Sequence, residues 1–344
     1  MEITTIGLDL AKSIFQIHGV DAEGKVIVKR ALRRSQVLPF FAKLAPCLVG
    51  IEACGTSHYW GRELIKLGHE VRLMPPAYVK PYVKRGKTDA NDAEAICEAV
   101  TRPTMRFVAV KSPEQQAALS IHRARNLLVK QRTQLVNMIR GLLAEFGFDI
   151  PRGLHQALAL ARRLAGGEPS DMPTEATDVV QSLSKHLLDC HEKIRDFDRA
   201  ILKWHRSNEV SQRLASIPGI GPIGASALAA SVTDPHQFKS GRQFAAWLGL
   251  TPLQHSSGGK ERLGRISKMG DQHLRKLLIV GMTALVRNAK YKPERTDPRL
   301  AHFMAHKPTR VATVALANKT ARVVWAIMTR GETYNSQHLP ALAT

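Results

Sequence analysis

The sequence predicts an α/β domain followed by a mainly helical remainder, α/β plus α, and three observations carry that reading. Residues 3–74 alternate short β-branched or apolar runs with helix-like segments. Past Pro113 the pattern lengthens into apolar steps of three and four. From Leu214 on, a Gly-punctuated turn and Ala-rich segments continue the helical texture. Three regions are expected: 1–112 with a mixed sheet, 113–206 helical and coiled-coil-like, and 207–344 mainly helical. A chain of 344 residues accommodates two or three domains.

Residues 3–10 mix Ile, Thr and Leu as a strand does and end near Asp9. Ser13–Val20 and Lys25–Arg30 read as two further strands, joined by the turn Asp21-Ala22-Glu23-Gly24. A helix near Gln36–Leu44 follows. Cys47–Glu52 is a short, almost wholly apolar run ending in an acid, as expected of a buried central strand. Ser57–Leu67 reads as a helix and Glu70–Met74 as a strand. After Pro75-Pro76 and the basic run from Lys80 to Lys87, Thr88 and Asp89 are helix-starting residue types ahead of an Ala-rich stretch free of Gly and Pro.

Two heptad seams follow. One runs Ile121, Ala124, Leu128, Gln131, Leu135, Met138, Leu142. The other runs Val180, Leu183, Leu187, Cys190, Ile194, Phe197, Ile201, Trp204. Each is sustained long enough to argue for coiled-coil packing, within a chain or between chains. Gly147–Pro173 reads as the connection between them. The turn Ser216–Ala225, Ser-Ile-Pro-Gly-Ile-Gly-Pro-Ile-Gly-Ala, resembles a helix-hairpin-helix turn, where Gly219 and Gly221 offer backbone N–H groups to a phosphate. A helix is expected over Phe238–Leu250, then a polar, flexible loop over Thr251–Lys268. Gln272–Arg287 and Val311–Thr329 read as helices.

Composition narrows the function. There are 50 Lys and Arg against 29 Asp and Glu, a net charge of +21. A foldable chain that basic points to a polyanion, most simply nucleic acid. Residues 251–330 hold 16 of the bases and only 4 acids, so the surplus is concentrated there. An anionic membrane surface is the alternative, and no basic amphipathic helix or long apolar run supports it. The N-terminus carries Glu2 where a signal peptide carries bases, so a cytoplasmic protein is expected. The four cysteines, Cys47, Cys54, Cys97 and Cys190, form no CxxC pair, which argues against zinc and against a disulfide framework.

The candidate chemistry centres on Gly86-Lys87-Thr88-Asp89-Ala90-Asn91-Asp92-Ala93. Asp89 and Asp92, three apart on a helix, put two carboxylates on one face. Such a pair stays solvated, shares a proton, or holds a divalent cation. Asp9 and Glu52 are two isolated acids upstream in apolar, strand-like settings, where side chains from neighbouring strands can converge. A solvated first turn and charged strand ends are the plain alternatives. In the basic loop, Ser256 and Ser257 precede Gly258-Gly259. A serine flanked by glycines and bases binds phosphate or attacks it.

Asp9 in Gly-Leu-Asp-Leu-Ala-Lys, Glu52 in Gly-Ile-Glu-Ala-Cys-Gly, and Lys-Thr-Asp-Ala-Asn-Asp-Ala together resemble the DEDD-type insertion-sequence transposases. The second half agrees: Ile-Pro-Gly-Ile-Gly-Pro, Phe-Ala-Ala-Trp-Leu-Gly-Leu-Thr-Pro and Ser-Ser-Gly-Gly-Lys-Glu-Arg-Leu-Gly-Arg-Ile-Ser-Lys-Met-Gly look like that family's C-terminal signature. The resemblance covers nearly the whole chain and extends to the Piv-type DNA invertases. It implies an N-terminal RuvC-like (RNase H-like) domain joined to a C-terminal transposase domain. It also implies a metal tetrad of Asp9, Glu52, Asp89 and Asp92 for Mg²⁺ or Mn²⁺. Ser257 matches the family's nucleophile, with Ser256 as the alternative, and a structured bridge RNA is implied as guide.

The resulting expectation is a transposase that cuts and rejoins the DNA of its own mobile element, acting as a dimer or tetramer associated with the bacterial nucleoid. Lys84, Arg85, Lys87, Gly219, Gly221, Lys260, Arg262, Arg265 and Lys268 are the expected nucleic-acid contacts. Two rivals stand beside it: a RuvC-like nuclease that uses water, and an architectural DNA-binding protein without catalysis.

Overall fold

The computed structural model describes residues 2–84, 86, 88–168 and 171–335. Arg85 and Lys87, two of the expected nucleic-acid contacts, lie outside them. Two compact units result: the chain to Gln115 together with Thr233–Lys239, and Gln116–Val232 with the residues from Ser240 on.

The first unit is a five-stranded mixed sheet with helices on both faces. Its elements are β1 (Thr5–Asp9), β2 (Ile14–Val20), β3 (Val26–Arg33), α1 (Val37–Phe41), β4 (Leu48–Glu52), α2 (Ser57–Lys66), β5 (Glu70–Met74), α3 (Pro76–Val79) and α4 (Asp89–Val100). The strand order is β3-β2-β1-β4-β5. β1, β2 and β3 form an antiparallel meander, whereas β4 and β5 run parallel to β1. The turn between β2 and β3 is built as its sequence suggests: Asp21 Oδ1 accepts from the Glu23 and Lys25 N–H groups, and Gly24 takes φ +80°. Alternation divides the sheet. Ile6, Leu8, Val49 and Ile51, with Phe15 of β2, face one side and are buried with Val37, Phe41, Trp60 and Leu64 of the α1–α2 layer. Thr5, Gly7 and Asp9, with Gly50 and Glu52, face the other side, where α4 lies.

Glycine decides how close α4 comes. A β-carbon on Gly7 would sit 2.1 Å from the Ala93 carbonyl oxygen and 2.4 Å from the Cys97 nitrogen. One on Gly50, directly paired with Gly7, would sit 2.8 Å from Cβ of Val100. The helix therefore rests on bare backbone, and the Cys97 thiol reaches the Thr5 carbonyl.

The second unit is mostly helical. It contains most of α5 (Pro113–Ala144), then α6 (Leu154–Ala165), α7 (Thr174–Arg206), α8 (Glu209–Ala215), α9 (Pro222–Ser231) and α10 (Gly241–Trp247). Strands β6 (Pro252–Gln254) and β7 (Leu263–Ile266) follow, then α11 (Gln272–Tyr291), α12 (Pro298–His306) and α13 (Thr309–Arg330). Four sequence expectations are corrected here. The connection Gly147–Pro173 contains a helix, α6, because its Gly and Pro residues flank an apolar-periodic core (Ala157, Leu158, Ala161, Leu164) that packs on α7. The helix expected over Phe238–Leu250 is only the seven residues of α10, bounded by the cap Ser240 and by Gly249 at φ +69°. The loop Thr251–Lys268 is a β-hairpin, and α12 was unforeseen.

The fourth correction concerns the α5 seam. The buried positions are Ala118, His122, Val136, Ile139 and Leu143, one residue on from the expected row, and Met138 is 54% exposed. The true face includes polar residues with specific partners: His122 meets Ser226, Arg125 pairs with Asp198, and Arg132 meets His191. Apolar periodicity alone therefore selects the neighbouring row. On α7, Val180, Leu187, Cys190, Ile194 and Ile201 are buried as expected. One described helix, α13, is long and apolar enough to cross a membrane, a run that the sequence reading overlooked; here it packs against α8, α10 and α11.

The glycine contact gives the first prediction. Gly7→Ala drives a β-carbon into the α4 backbone and is expected to cost at least about 2 kcal/mol in urea melts followed by circular dichroism. Gly55→Ala, where nothing lies within 4 Å, is the matched control and is expected to stay within about 0.5 kcal/mol of the parent.

Candidate active site

At the C-terminal edge of β1 and β4 the alternation that buries Leu8 and Ile51 turns Asp9 and Glu52 toward α4. The helix runs antiparallel to β1, since Ala93 and Cys97 lie over Gly7 while Cys97 reaches back to Thr5. Its first turn therefore ends up beside Asp9. Thr88 caps that turn: its backbone is extended and its hydroxyl accepts from the Asn91 N–H at 3.2 Å. Asn91 in turn donates from Nδ2 to the Gly86 carbonyl at 2.9 Å, tying the preceding loop to the helix.

The outcome is a convergence of carboxylates. One oxygen from each of Asp9, Asp89 and Asp92 lies within 4.8 Å of the other two. Glu52 stands outside that trio but is close enough for its charge to be felt at Asp9 and to feel Asp92. Burial, then the charges of Asp92, Asp89 and Glu52, push the Asp9 carboxyl up from an ordinary 3.8 to about 6, against the hydrogen bond from the Leu10 backbone. Burial and then Asp92 raise Glu52 as well. The three converging carboxylates form a hard-oxygen donor set of the kind that suits a divalent cation. Lys84 and Lys29 both pair with Glu94, further along the same helix.

The serines lie in the second unit. β6 and β7 pair antiparallel, and Ser257 bridges Lys260 across a turn whose central residues Gly258 and Gly259 take φ +56° and +76°. Positive φ at both positions is what a type I′ hairpin turn requires, and Gly-Gly meets it without strain. The two hydroxyls differ. Ser256 Oγ accepts from the Arg262 N–H at 3.1 Å, while Ser257 Oγ makes no hydrogen bond among the described residues. Both residues are exposed, as are Lys260, Arg262, Arg265 and Lys268 around them. The base of the hairpin is rigid. Gly249 and Gly270 let two backbone segments cross, and the buried Arg275 donates to the Leu248 and Met269 carbonyls at 2.9 and 2.8 Å.

Gly219 and Gly221 are exposed in the turn between α8 and α9. Gly219 also has a packing role: at φ +83° it lies against Gly281 of α11, whose added β-carbon would meet the Gly219 oxygen at 2.0 Å. What sequence reasoning missed is the pair Gly7 and Gly50. The signal was present, since a glycine stands two residues before each strand acid.

Residues 6–148 match a family model for DEDD transposases of IS110 type, and residues 211–297 match the model described as the IS116/IS110/IS902 transposase family. The chain is 50% identical over 335 residues to a protein of Pseudomonas aeruginosa named "Probable family 20 transposase", spanning 97% of this chain and 99% of that one. It belongs to the IS110/IS116 transposase family. Two further relatives are the transposase for insertion sequence element IS1111A of Coxiella burnetii (42% identical, 97% of this chain and 92% of that one) and the transposase for insertion sequence element IS1328 of Yersinia enterocolitica (37%, with 97% and 99% covered). The first family segment spans all four acids of this transposase and the second spans the hairpin with both serines.

The charge cluster predicts a pH signature. Between about pH 4 and 6 the folded transposase keeps a proton on Asp9 that the unfolded chain has released. Its stability therefore falls as pH rises through that window and stays lower above it. Without divalent metal, Asp9→Asn is expected to raise Tm by a few degrees at neutral pH. Millimolar Mg²⁺ or Mn²⁺ is expected to raise the parent's Tm at neutral pH. That gain fades below about pH 6 as Asp9 takes up its proton. Calorimetry across pH, with and without metal, checks both, and a metal effect that persists unchanged in Asp9→Asn contradicts the assignment.

Proposed function

We propose that this transposase cuts and rejoins the DNA of its mobile element, with Asp9, Glu52, Asp89 and Asp92 as metal-holding acids and Ser257 as the nucleophile. The observation that carries the reading is the approach of the Asp9, Asp89 and Asp92 carboxylates to within 4.8 Å of one another. The strand order β3-β2-β1-β4-β5, with its antiparallel meander and parallel extension, supports an RNase H-like (RuvC-like) description of the first unit. The three-part division at 1–112, 113–206 and 207–344 is kept as a functional one: acid centre, helical middle and serine-bearing transposase region.

A divalent ion held by the four acids supplies neutralisation of the charge that grows on the scissile phosphate, which is why Mg²⁺ or Mn²⁺ is the proposed cofactor. The protein's own part is as follows. The Ser257 oxygen forms a bond to phosphorus while the bond from phosphorus to one deoxyribose oxygen breaks. The serine proton passes through solvent to that departing oxygen, leaving a free hydroxyl strand end and a serine-linked phosphate. A hydroxyl from a second strand then attacks the ester, releases serine with its proton restored, and completes the exchange. No high-energy cofactor is consumed, because the phosphodiester energy is held in the ester. Ser257 is favoured over Ser256 because its hydroxyl is uncommitted, whereas that of Ser256 accepts across the hairpin. The reading requires hydroxyl and acids to meet one strand, from one chain or from two.

Lys84, Arg85, Lys87, Gly219, Gly221, Lys260, Arg262, Arg265 and Lys268 are proposed to hold nucleic acid, and the +21 charge suits that load. The resemblance described above further implies a structured bridge RNA that specifies donor and target DNA, and kinship with the Piv-type invertases. A homo-oligomer, dimer or tetramer, is proposed from the same source. The exposed Leu127, Met138 and Val179 on α5 and α7 leave apolar surface for coiled-coil-like packing between copies. The proposed location is the cytoplasm, at the nucleoid.

The test is incubation with DNA bearing the element ends, Mg²⁺ and the associated RNA, followed by denaturing electrophoresis. A denaturant-resistant protein–DNA adduct is expected. Ser257→Ala should abolish it and Ser256→Ala should retain it within about tenfold, while Asp92→Asn should lower strand cleavage by at least about a thousandfold. Cleavage that survives in the Ser256→Ala, Ser257→Ala double variant means water is the nucleophile.

A further inference from the structure

A cleft of the first unit lies beyond the acids. It is open-mouthed, about 740 Å³, and lined by Lys12 and Ser13 of the β1–β2 turn, Ile14 at the start of β2, Arg33 and Arg34 at the end of β3, and Tyr59 and Trp60 of α2, among others. Volumes of this order are those of small-ligand pockets. Its place follows from the register. Asp9 pairs with Gln16, and the next outward pair on that face, Ile14 with Arg33, forms part of the cleft wall. The cleft therefore opens at the same sheet edge as the carboxylates, with its floor on the α1–α2 side rather than the α4 side.

Its chemistry is specific. Lys12, Arg33 and Arg34 bring three cationic residues to one cleft, and among the described residues no carboxylate pairs with any of them. Arg34 lies over the Trp60 ring, 5.0 Å from its centroid. Trp60 is 3% exposed and is held edge-on by Phe15 and by Tyr59, at 4.9 and 5.3 Å between centroids. Tyr59, braced by that buried ring, is 43% exposed. A rigid, solvent-reachable aromatic face framed by unpaired bases is the arrangement that stacks a nucleobase and holds its flanking phosphates. Duplex DNA keeps its base faces covered, so it can engage the cations but not the ring.

We infer that the Lys12–Arg33–Arg34–Tyr59 cleft binds unpaired, single-stranded DNA, holding the strand that runs from the acid cluster with one base stacked on Tyr59. This rests on the reading that the acids act on DNA. The commitment to DNA follows from the shared sheet edge: the strand within reach of the cleft is the one the carboxylates would cut.

The experiment uses the full-length transposase in EDTA, so that binding is read without cleavage. Fluorescence anisotropy with a short labelled oligothymidylate is expected to weaken about tenfold for Tyr59→Ala and by less than about twofold for Tyr59→Phe, with duplex binding moved less than about twofold by either. Lys12→Gln and Arg33→Gln are each expected to lower the slope of log affinity against log salt by about 1. Because other basic surfaces also hold single strands, a second readout is needed. An oligonucleotide carrying 5-bromodeoxyuridine, irradiated in complex, is expected to place an adduct on the α2 peptide at Tyr59. Three outcomes overturn the inference: adducts found only elsewhere, equal loss of duplex and single-strand binding in Tyr59→Ala, or dependence on Tyr59 for the matching RNA but not for DNA. These are separable from failure of the acid centre, which shows instead as undiminished cleavage by Asp92→Asn with the Tyr59 effect intact.

Discussion

The first unit depends on a contact made possible by two absent β-carbons. Gly7 and Gly50 sit side by side on neighbouring parallel strands, and α4 lies on them at backbone distance. A helix packed on ordinary side chains stands about 10 Å from a sheet. Here the Ala93 carbonyl comes so near Gly7 that no β-carbon fits between them. That closeness, together with the antiparallel run of α4, brings the carboxylates of its first turn to the level of Asp9. Each strand acid follows its glycine by two residues, so residue alternation makes the face that receives the helix also the face that carries the acids. Packing and chemistry are set by one periodicity, and neither can be altered without disturbing the other.

Electrostatics make such a cluster a favourable place for a cation. Asp9 keeps its proton up to about pH 6 because burial and three neighbouring acids oppose its ionisation. Lys29 and Lys84 pair with Glu94, further along the same helix. An internal salt bridge would have made the fold more comfortable and the site useless for metal. The unfavourable charge is instead left in place, at some cost in stability at neutral pH, as functional sites commonly leave it.

Much of this was legible in the sequence, for identifiable reasons. Strands β1, β2, β4 and β5 and the start of α4 were marked by strong local signals: β-branched runs, the Asp21–Gly24 turn and the Thr88 cap. Asp9 and Glu52 could be named because they interrupt apolar runs, and Asp89 and Asp92 because they stand three apart at a helix start. What escaped was whatever depends on partners distant in sequence. The α5 seam was misplaced by one residue because its buried face is partly polar, and His122, Arg125 and Arg132 are satisfied only by residues of α9 and α7. The hairpin around Ser257 was read as a flexible loop because Gly-Gly and clustered bases suggest disorder. The same Gly-Gly is a turn former once β6 and β7 pair. The cleft at Tyr59 left no linear trace at all, since its cations and ring come from three separate segments joined by strand register.

The two sides of the sheet edge also carry opposite charge, and that opposition is useful. Nucleic-acid backbone is repelled by four unneutralised carboxylates, so an acid centre cannot hold a strand by itself before metal arrives. Cations placed among the carboxylates would attract the strand but would occupy the oxygens that the metal needs. Placing Lys12, Arg33 and Arg34 around the end of the sheet, outward of the Asp9–Gln16 pair and as far as β3, would separate the two proposed tasks. In the proposed roles the attraction would act on neighbouring phosphates, leaving the acids free for the one that reacts. A sheet that presents acids on one face of its edge and bases beyond it can therefore attract a polyanion and still reserve its negative centre for a cation.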